Sequence, residues 1–316
     1  MTQKITRNSS EHEGSMKSTW SVMIPAYRCN QYLPQCLRSV LMQDLGPERM
    51  QIAVINDDPS DEECGKLVET LAHGRVTYYR NEKNIGPDAN FNRCIELSAN
   101  DLVLILHGDD YLKEHYFEKM SALADGCPKA GMIVCRGDGV DEKGIVNWVS
   151  LRYPTFESLT FDESPIWEAL HLMPPGVVVR REVYAKVGGY RPVVAQDWDM
   201  WFRIIRSSGI IMTPDVLVAY RQHEDSNTGR TRRSGRIIRD LLTLYESFAA
   251  EQPKYPLEKM RRGVSSMAYG QAMEYKRRGD GEAAAANFRI WRELTPLPSR
   301  LITNSKRFVK AILGRS

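Results

Sequence analysis

Ten residues near the middle of the chain, Leu102 to Tyr111, read LVLILHGDDY. Five apolar residues end on His107, Gly108 and the adjacent acids Asp109 and Asp110. Like charges side by side repel and resist desolvation. Two arrangements reconcile them with a buried strand: a divalent cation bridges their oxygens, or the strand has reached solvent. Other groups of chemical interest lie elsewhere. Asp57, in AVINDDPSDE, closes another apolar run and is free to accept a hydrogen bond from a ring N–H. Asp197 and Asp199, in QDWDMWFRI, stand where the first turn of a helix favours acids. Arg221 and His223, in YRQHEDSNT, come at a strand end.

These residues need elements that bring them together. Apolar runs at 20–25 (WSVMIP), 51–55 (QIAVI), 75–79 (RVTYY), 102–106 (LVLIL) and 130–135 (AGMIVC) read as strands. Helical stretches at 31–45, 61–71, 89–97 and 116–123 lie between them; the first carries Leu33, Leu37, Val40 and Leu41 at helical spacing. Strands alternating with helices predict βαβ units and a parallel sheet covered on both faces. In such a sheet the ligand sits beyond the carboxyl ends of the strands. The polar punctuation falls there: Pro25–Tyr27, Asn56–Asp58, Asn81–Gly86 and His107–Asp110.

Residues 137–175 are less regular, with GDGVDEKG as a turn-rich stretch. GVVVRREVYAKVGGY then reads as strand, helix and turn, QDWDMWFRI as a helix and DVLVAYRQH as a strand. Three helical stretches follow Arg230, at 232–250, 256–279 and 280–294, and YKRRGDGEAAAANF resembles one tetratricopeptide-type hairpin. The tail RLITNSKRFVKAILGRS alternates apolar and basic residues at helical spacing. That pattern fits an amphipathic helix on an anionic membrane surface, or a basic terminal helix packed on the domain.

Composition bounds the partners. The 316 residues are 42% hydrophobic, enough for a core, and a net charge of +3 is too weak to make nucleic acid the main partner. Six cysteines without CxxC pairs read as free thiols in a reducing compartment. Residues 1–18 are polar, lack the apolar stretch of a signal peptide and read as a disordered tail. No apolar run approaches the roughly 18 residues of a membrane span. The expectation is a cytoplasmic protein, peripheral at most at the inner face of the membrane.

Five blocks in order, VMIPAYRCNQYLPQCLRSVLMQ, AVINDDPSDE, RNEKNIGPDANFNRC, ILHGDDYL and VAQDWDMWFRI, resemble those of family 2 glycosyltransferases over about residues 19–225. The resemblance implies a GT-A fold: a nucleotide-binding α/β domain, residues 19–230, with a mainly parallel mixed sheet flanked by helices. A helical C-terminal region, 231–316, follows it. The activity implied is an inverting transfer of a sugar from a nucleotide-diphosphate donor. The acceptor is a hydroxyl of a cell-surface glycan or a lipid-linked molecule.

By that likeness Asp57 reads the nucleotide base, with Asp58 beside it where glycine is commoner. Pro25, Tyr27, Asn84 and Gly86 belong to the nucleotide site, and Arg93 faces either the diphosphate or solvent. Asp109 and Asp110 match the DxD motif, which holds Mn²⁺ or Mg²⁺ against the diphosphate. His107 replaces the first acid of the usual DADD, and as a ligand it favours Mn²⁺. His223 is a third candidate ligand. Asp197 is the base that deprotonates the acceptor, Asp199 is its rival, and Gln196 replaces the family's glutamate. Trp198 and Trp201 pack their helix.

Two rival activities remain. A sugar-phosphate nucleotidyltransferase would want a glycine-rich loop after the first strand, which IPAYRCNQYLP lacks. A non-catalytic scaffold that binds nucleotide sugars is kept open by the departures at His107 and Gln196.

Overall fold

Every residue of β1 (Trp20–Ala26) is buried, and the sheet is built outward from it. The computed structural model describes residues 18–150, 159–160, 172–193, 195–224, 226–251 and 255–295. Parallel to β1 lie β2 (Met50–Asn56) on one side and β4 (Leu102–Ile105) on the other, with β3 (Thr77–Arg80) beyond β2. These are the apolar runs read from the sequence. The helices α1 (Leu33–Leu41), α2 (Glu62–Ala72) and α3 (Pro87–Leu97) connect them. In α1, Leu33, Cys36, Leu37 and Val40 are buried, the i, i+3, i+4, i+7 stripe of a helix lying on a sheet. Asp61 caps α2 by accepting from the N–H groups of Glu63 and Cys64. Gly86 and Pro87 open α3, with proline where its missing N–H costs nothing.

The second half reverses direction. Antiparallel β8 (Val177–Arg180) sits between β4 and β6 (Met132–Val140), and β9 (Ile210–Arg221) runs parallel to β6. A two-residue strand, β5 (Tyr111–Leu112), pairs antiparallel with β9, and β7 (Val146–Val149) forms a hairpin with β6. The sheet is therefore mixed, in the order β3-β2-β1-β4-β8-β6-β9-β5 with β7 on β6. Helices α4 (Tyr116–Gly126), α5 (Arg181–Val187) and α6 (Gln196–Ser208) complete this part. The fold is of the GT-A type.

Two sequence expectations change. The turn-rich reading of GDGVDEKG fails at its start, because β6 runs on through Gly137–Val140. Asp138 is tolerated there because Lys113 pairs with it. The strand expected from Asp215 begins earlier, at Ile210, and is broken by register shifts opposite Val134–Gly137.

The chain divides into two compact units. The first comprises residues 1–192 and 196–222, the second residues 193–195 and 223–316. Helices of the second are α7 (Asn227–Ser234), α8 (Arg236–Glu251), α9 (Leu257–Arg277) and α10 (Gly281–Leu294). The helix–Gly–helix pattern appears as the α9–α10 hairpin, closed by a cluster of Tyr275, Ala283 and Ala284 and capped by Asp280. No helix among the described residues is long and apolar enough to cross a membrane. The basic tail from Arg300 onward lies outside the described residues.

Candidate active site

The strand ends meet on one rim because the register puts them there. Ala26 lies opposite Asn56, and Met23 opposite Ile105. Backbone bonds extend the ladder past the strands: Asp57 N–H donates to the Ala26 carbonyl, and Gly108 N–H to that of Pro25. A side chain at Gly108 would come within 2.6 Å of the Cys29 sulfur, so only glycine lets the loop lie this close to β1.

On one side of the rim stands Asp57, 3% exposed. Its Oδ1 accepts from Asn81 Nδ2 (2.8 Å) and Ile85 N–H (2.9 Å), and its Oδ2 accepts from Gly86 N–H (3.0 Å). Asn84 Nδ2 donates to its carbonyl at 3.2 Å. Gly86 has φ +85°, a backbone that favours glycine. Asp57, Asn84 and Gly86 are thus together, but the Asp57 carboxylate is engaged by this chain itself. Asp58 accepts from Ser60, and its other oxygen lies 3.4 Å from the exposed Arg28. Hydrogen bonds from Ser60 hold its carboxyl below the usual range. Pro25 is buried, and Tyr27 is 43% exposed under the Arg28 guanidinium.

On the other side are His107, Asp109 and Asp110, whose ligand atoms all lie within 4.8 Å of one another. Asp110 is 1% exposed. Its Oδ1 accepts from Arg221 N–H at 2.8 Å, while its buried Oδ2 has no hydrogen-bond partner and lies 3.9 Å from His107 Nδ1. Burial pushes the Asp110 carboxyl well above the usual range; Asp109 adds to the rise and Arg221 opposes it. The His107 ring is held flat against Phe91, centroids 5.1 Å apart and planes 10° apart, and Tyr190 packs edge-on against Phe91. A buried carboxylate oxygen without a donor, beside a second acid and an imidazole, fits a divalent cation.

The two candidate bases on α6 differ. Asp199 is buried and paired with Arg203 at 2.7 Å and Arg191 at 3.5 Å. Asp197 is half-buried at the first turn, in the field of His107. Burial raises its pKa, His107 pulls against the rise, and Asp88 adds to it. Two bonds between Asn92 and the Tyr190 backbone, 2.6 and 2.9 Å, pin the chain just before α6. Trp201 is buried, as a packing residue should be.

Arg93 stands two residues from Phe91, so on a different face of α3, with a buried Nε that has no hydrogen-bond partner. His223 opens the longer segment of the second unit, residues 223–316. Sequence reasoning missed Phe91, Tyr190 and the depth of Arg221. The aromatic at 91, among polar residues at the start of a helix, was the one local signal; nothing near Tyr190 points to the site.

The model of Glycosyl transferase family 2 matches residues 21–188. The uncharacterized protein MT1568 of Mycobacterium tuberculosis is 28% identical over 234 residues, covering 70% of this chain and 72% of the relative. The chain spans less than half the length of the next curated relatives it matches. Among solved structures, TarS 1–349 of S. aureus, in complex with UDP-GlcNAc, aligns with TM-score 0.57 at 17% identity, over 87% of this chain and 92% of that one. The mannosyltransferase PcManGT of Pyrobaculum calidifontis, in complex with GDP-Man and Mn²⁺, aligns with TM-score 0.58 at 14% identity, over 93% and 81%.

Proposed function

This chain belongs to glycosyl transferase family 2, and on that premise we propose that it moves one sugar, with inversion, from a nucleotide-diphosphate donor to an acceptor hydroxyl. The observation that carries the reading is the buried, partnerless oxygen of Asp110 within a His–Asp–Asp group at the end of β4. That oxygen, beside a second acid and an imidazole, has little reason to stay without a donor unless a cation joins them. Asp109 and Asp110 would hold it, with His107 beside them. When bound, the cation neutralises the diphosphate and the leaving nucleotide. An imidazole in the set favours Mn²⁺ over Mg²⁺.

Asp197 takes the proton of the acceptor hydroxyl. The desolvation that raises its pKa makes it a stronger base than a solvated carboxylate. Asp57, which holds the loop Asn84–Gly86, reads the nucleotide base with its remaining acceptor capacity, and Asp58 beside it shares that role. Exposed Tyr27, with Pro25 behind it, borders the same pocket, and Arg93 serves the diphosphate side. The bound UDP-GlcNAc and GDP-Man of the two structural neighbours support a nucleotide-sugar donor without choosing the base. The acceptor is a hydroxyl of a cell-surface glycan or of a lipid-linked molecule. The apolar–basic alternation of the last seventeen residues supports peripheral contact with an anionic membrane.

The test is release of nucleotide diphosphate from a panel of UDP- and GDP-sugars with Mn²⁺ and no acceptor. Slow hydrolysis is expected from the native protein. Asp197→Asn lowers it about 10²–10⁴-fold, and Asp109→Asn removes its dependence on Mn²⁺. Native rates in both variants overturn the site; nucleotide-sugar binding without any turnover favours the scaffold instead.

A further inference from the structure

Arg221 ends β9 and is 3% exposed, deep for a charge whose guanidinium has no direct carboxylate ion pair among the described residues. Its five N–H donors form a planar fork. Nε donates to the Asp109 carbonyl at 2.9 Å. Nη1 donates to the carbonyls of Asp141 (3.0 Å) and Glu142 (2.8 Å), at the turn between β6 and β7. Nη2 donates to Gln35 Oε1 at 2.7 Å, on α1. The guanidinium also lies over two rings, 4.7 Å from the centroid of Tyr32 and 5.6 Å from that of Tyr111. The backbone N–H of the same residue donates to Asp110 Oδ1.

One residue therefore grips both adjacent acids, Asp109 by its main chain and Asp110 by its side chain. Fixing Oδ1 of Asp110 on a backbone donor leaves Oδ2 turned toward His107. We infer that Arg221 is a positioning residue of the cation site, holding Asp109 and Asp110 in ligand geometry before any metal arrives. The inference rests on reading the acids as a cation site. A lysine keeps the charge but is a single point without the fork, so it cannot hold the Asp109 carbonyl, the β6–β7 turn and Gln35 together. Partners one shell out from a metal commonly contribute 10–100-fold to its affinity.

The probe is Mn²⁺ alone, titrated into the full-length protein and followed by the electron paramagnetic resonance signal of the free ion. Measurement is made well below the metal-free melting midpoint, which is recorded for each variant. Arg221→Lys is expected to weaken Mn²⁺ binding about tenfold or more. Gln35→Ala, at an exposed position that leaves folding intact, is expected to weaken it about threefold, because it frees one arm of the fork. If Arg221 is only a packing residue, melting midpoints fall while the Kd of the folded variants for Mn²⁺ stays native; that result overturns the inference. Absence of Mn²⁺ binding by the native protein overturns the cation reading itself, a different outcome from native protein and variants binding alike.

Discussion

Two acids end the strands that flank β1, Asp57 after β2 and Asp110 just beyond β4, and both are buried. Their surroundings are opposite. Asp57 offers two oxygens to three donors of its own chain. Asp110 has one oxygen on the Arg221 N–H and the other on nothing, beside a like charge. A buried acid with every oxygen engaged holds a loop. A buried acid left short of donors, and pushed toward its neutral form, marks the place where something positive is meant to bind. The same rim thus has a finished half and an unfinished half, and the proposed cation site lies in the second.

Substitutions on the two sides test that contrast. The largest effect is expected at the finished acid. Asp57→Ala strands the N–H groups of Ile85 and Gly86 and the amide of Asn81, and should lower unfolding free energy by about 3 kcal/mol or more in urea titrations. A loss below about 1 kcal/mol would show that the loop does not depend on it.

Asp110→Asn should act in the other direction. It replaces a carboxyl whose anion is disfavoured by burial and by Asp109 with a neutral amide, so the metal-free melting midpoint rises by about 2–4 °C at pH 7, while stabilisation by Mn²⁺ disappears. A lower metal-free midpoint would mean that Asp110 is a structural acid like Asp57.

A third acid calibrates the other two. Asp44 is partly buried and gripped by Arg75 at 2.7 Å through both oxygens. Burial pushes its carboxyl up, but the bonds from Arg75 and the Gly46 N–H outweigh it, and the net pKa is lowered. Its contribution is therefore present above the ordinary carboxylate range and is lost as pH falls through the lowered value. Asp44→Asn should cost less than about 1 kcal/mol at pH 7, and the gap to the native protein should close in acid. A gap that stays constant with pH would assign it to packing rather than to the charge.

The sequence was most legible where structure is local. Each of the runs WSVMIP, QIAVI and LVLIL is apolar enough to be a buried strand and stops on polar residues, so the parallel half of the sheet and the rim its strand ends share could be read directly. The antiparallel half was harder. Residues Gly137–Val140 look like a turn but are strand, because Lys113 pairs with Asp138 from a distant segment. The two residues of β5 are too short to leave a pattern and exist because β9 lies beside them. The same holds in the site. Asp197 and Asp199 are indistinguishable in QDWDMW, and it is Arg203, one turn on, together with Arg191 that occupies the second of them.

Reading along the chain is enough to tell which residue types reach the rim: acids at strand ends, a histidine before the acid pair, two acids at the start of a helix. Those placements follow from the length of apolar runs and the positions of their polar stops, which are properties of neighbours in the chain. The condition of each acid is set by the folded chain. The donors that satisfy Asp57 come from 24 to 29 residues away, and those from Arg221 that grip Asp109 and Asp110 from 111 to 112. Hydrogen bonding and desolvation depend on who is near in space, and at those separations only the folded sheet sets that.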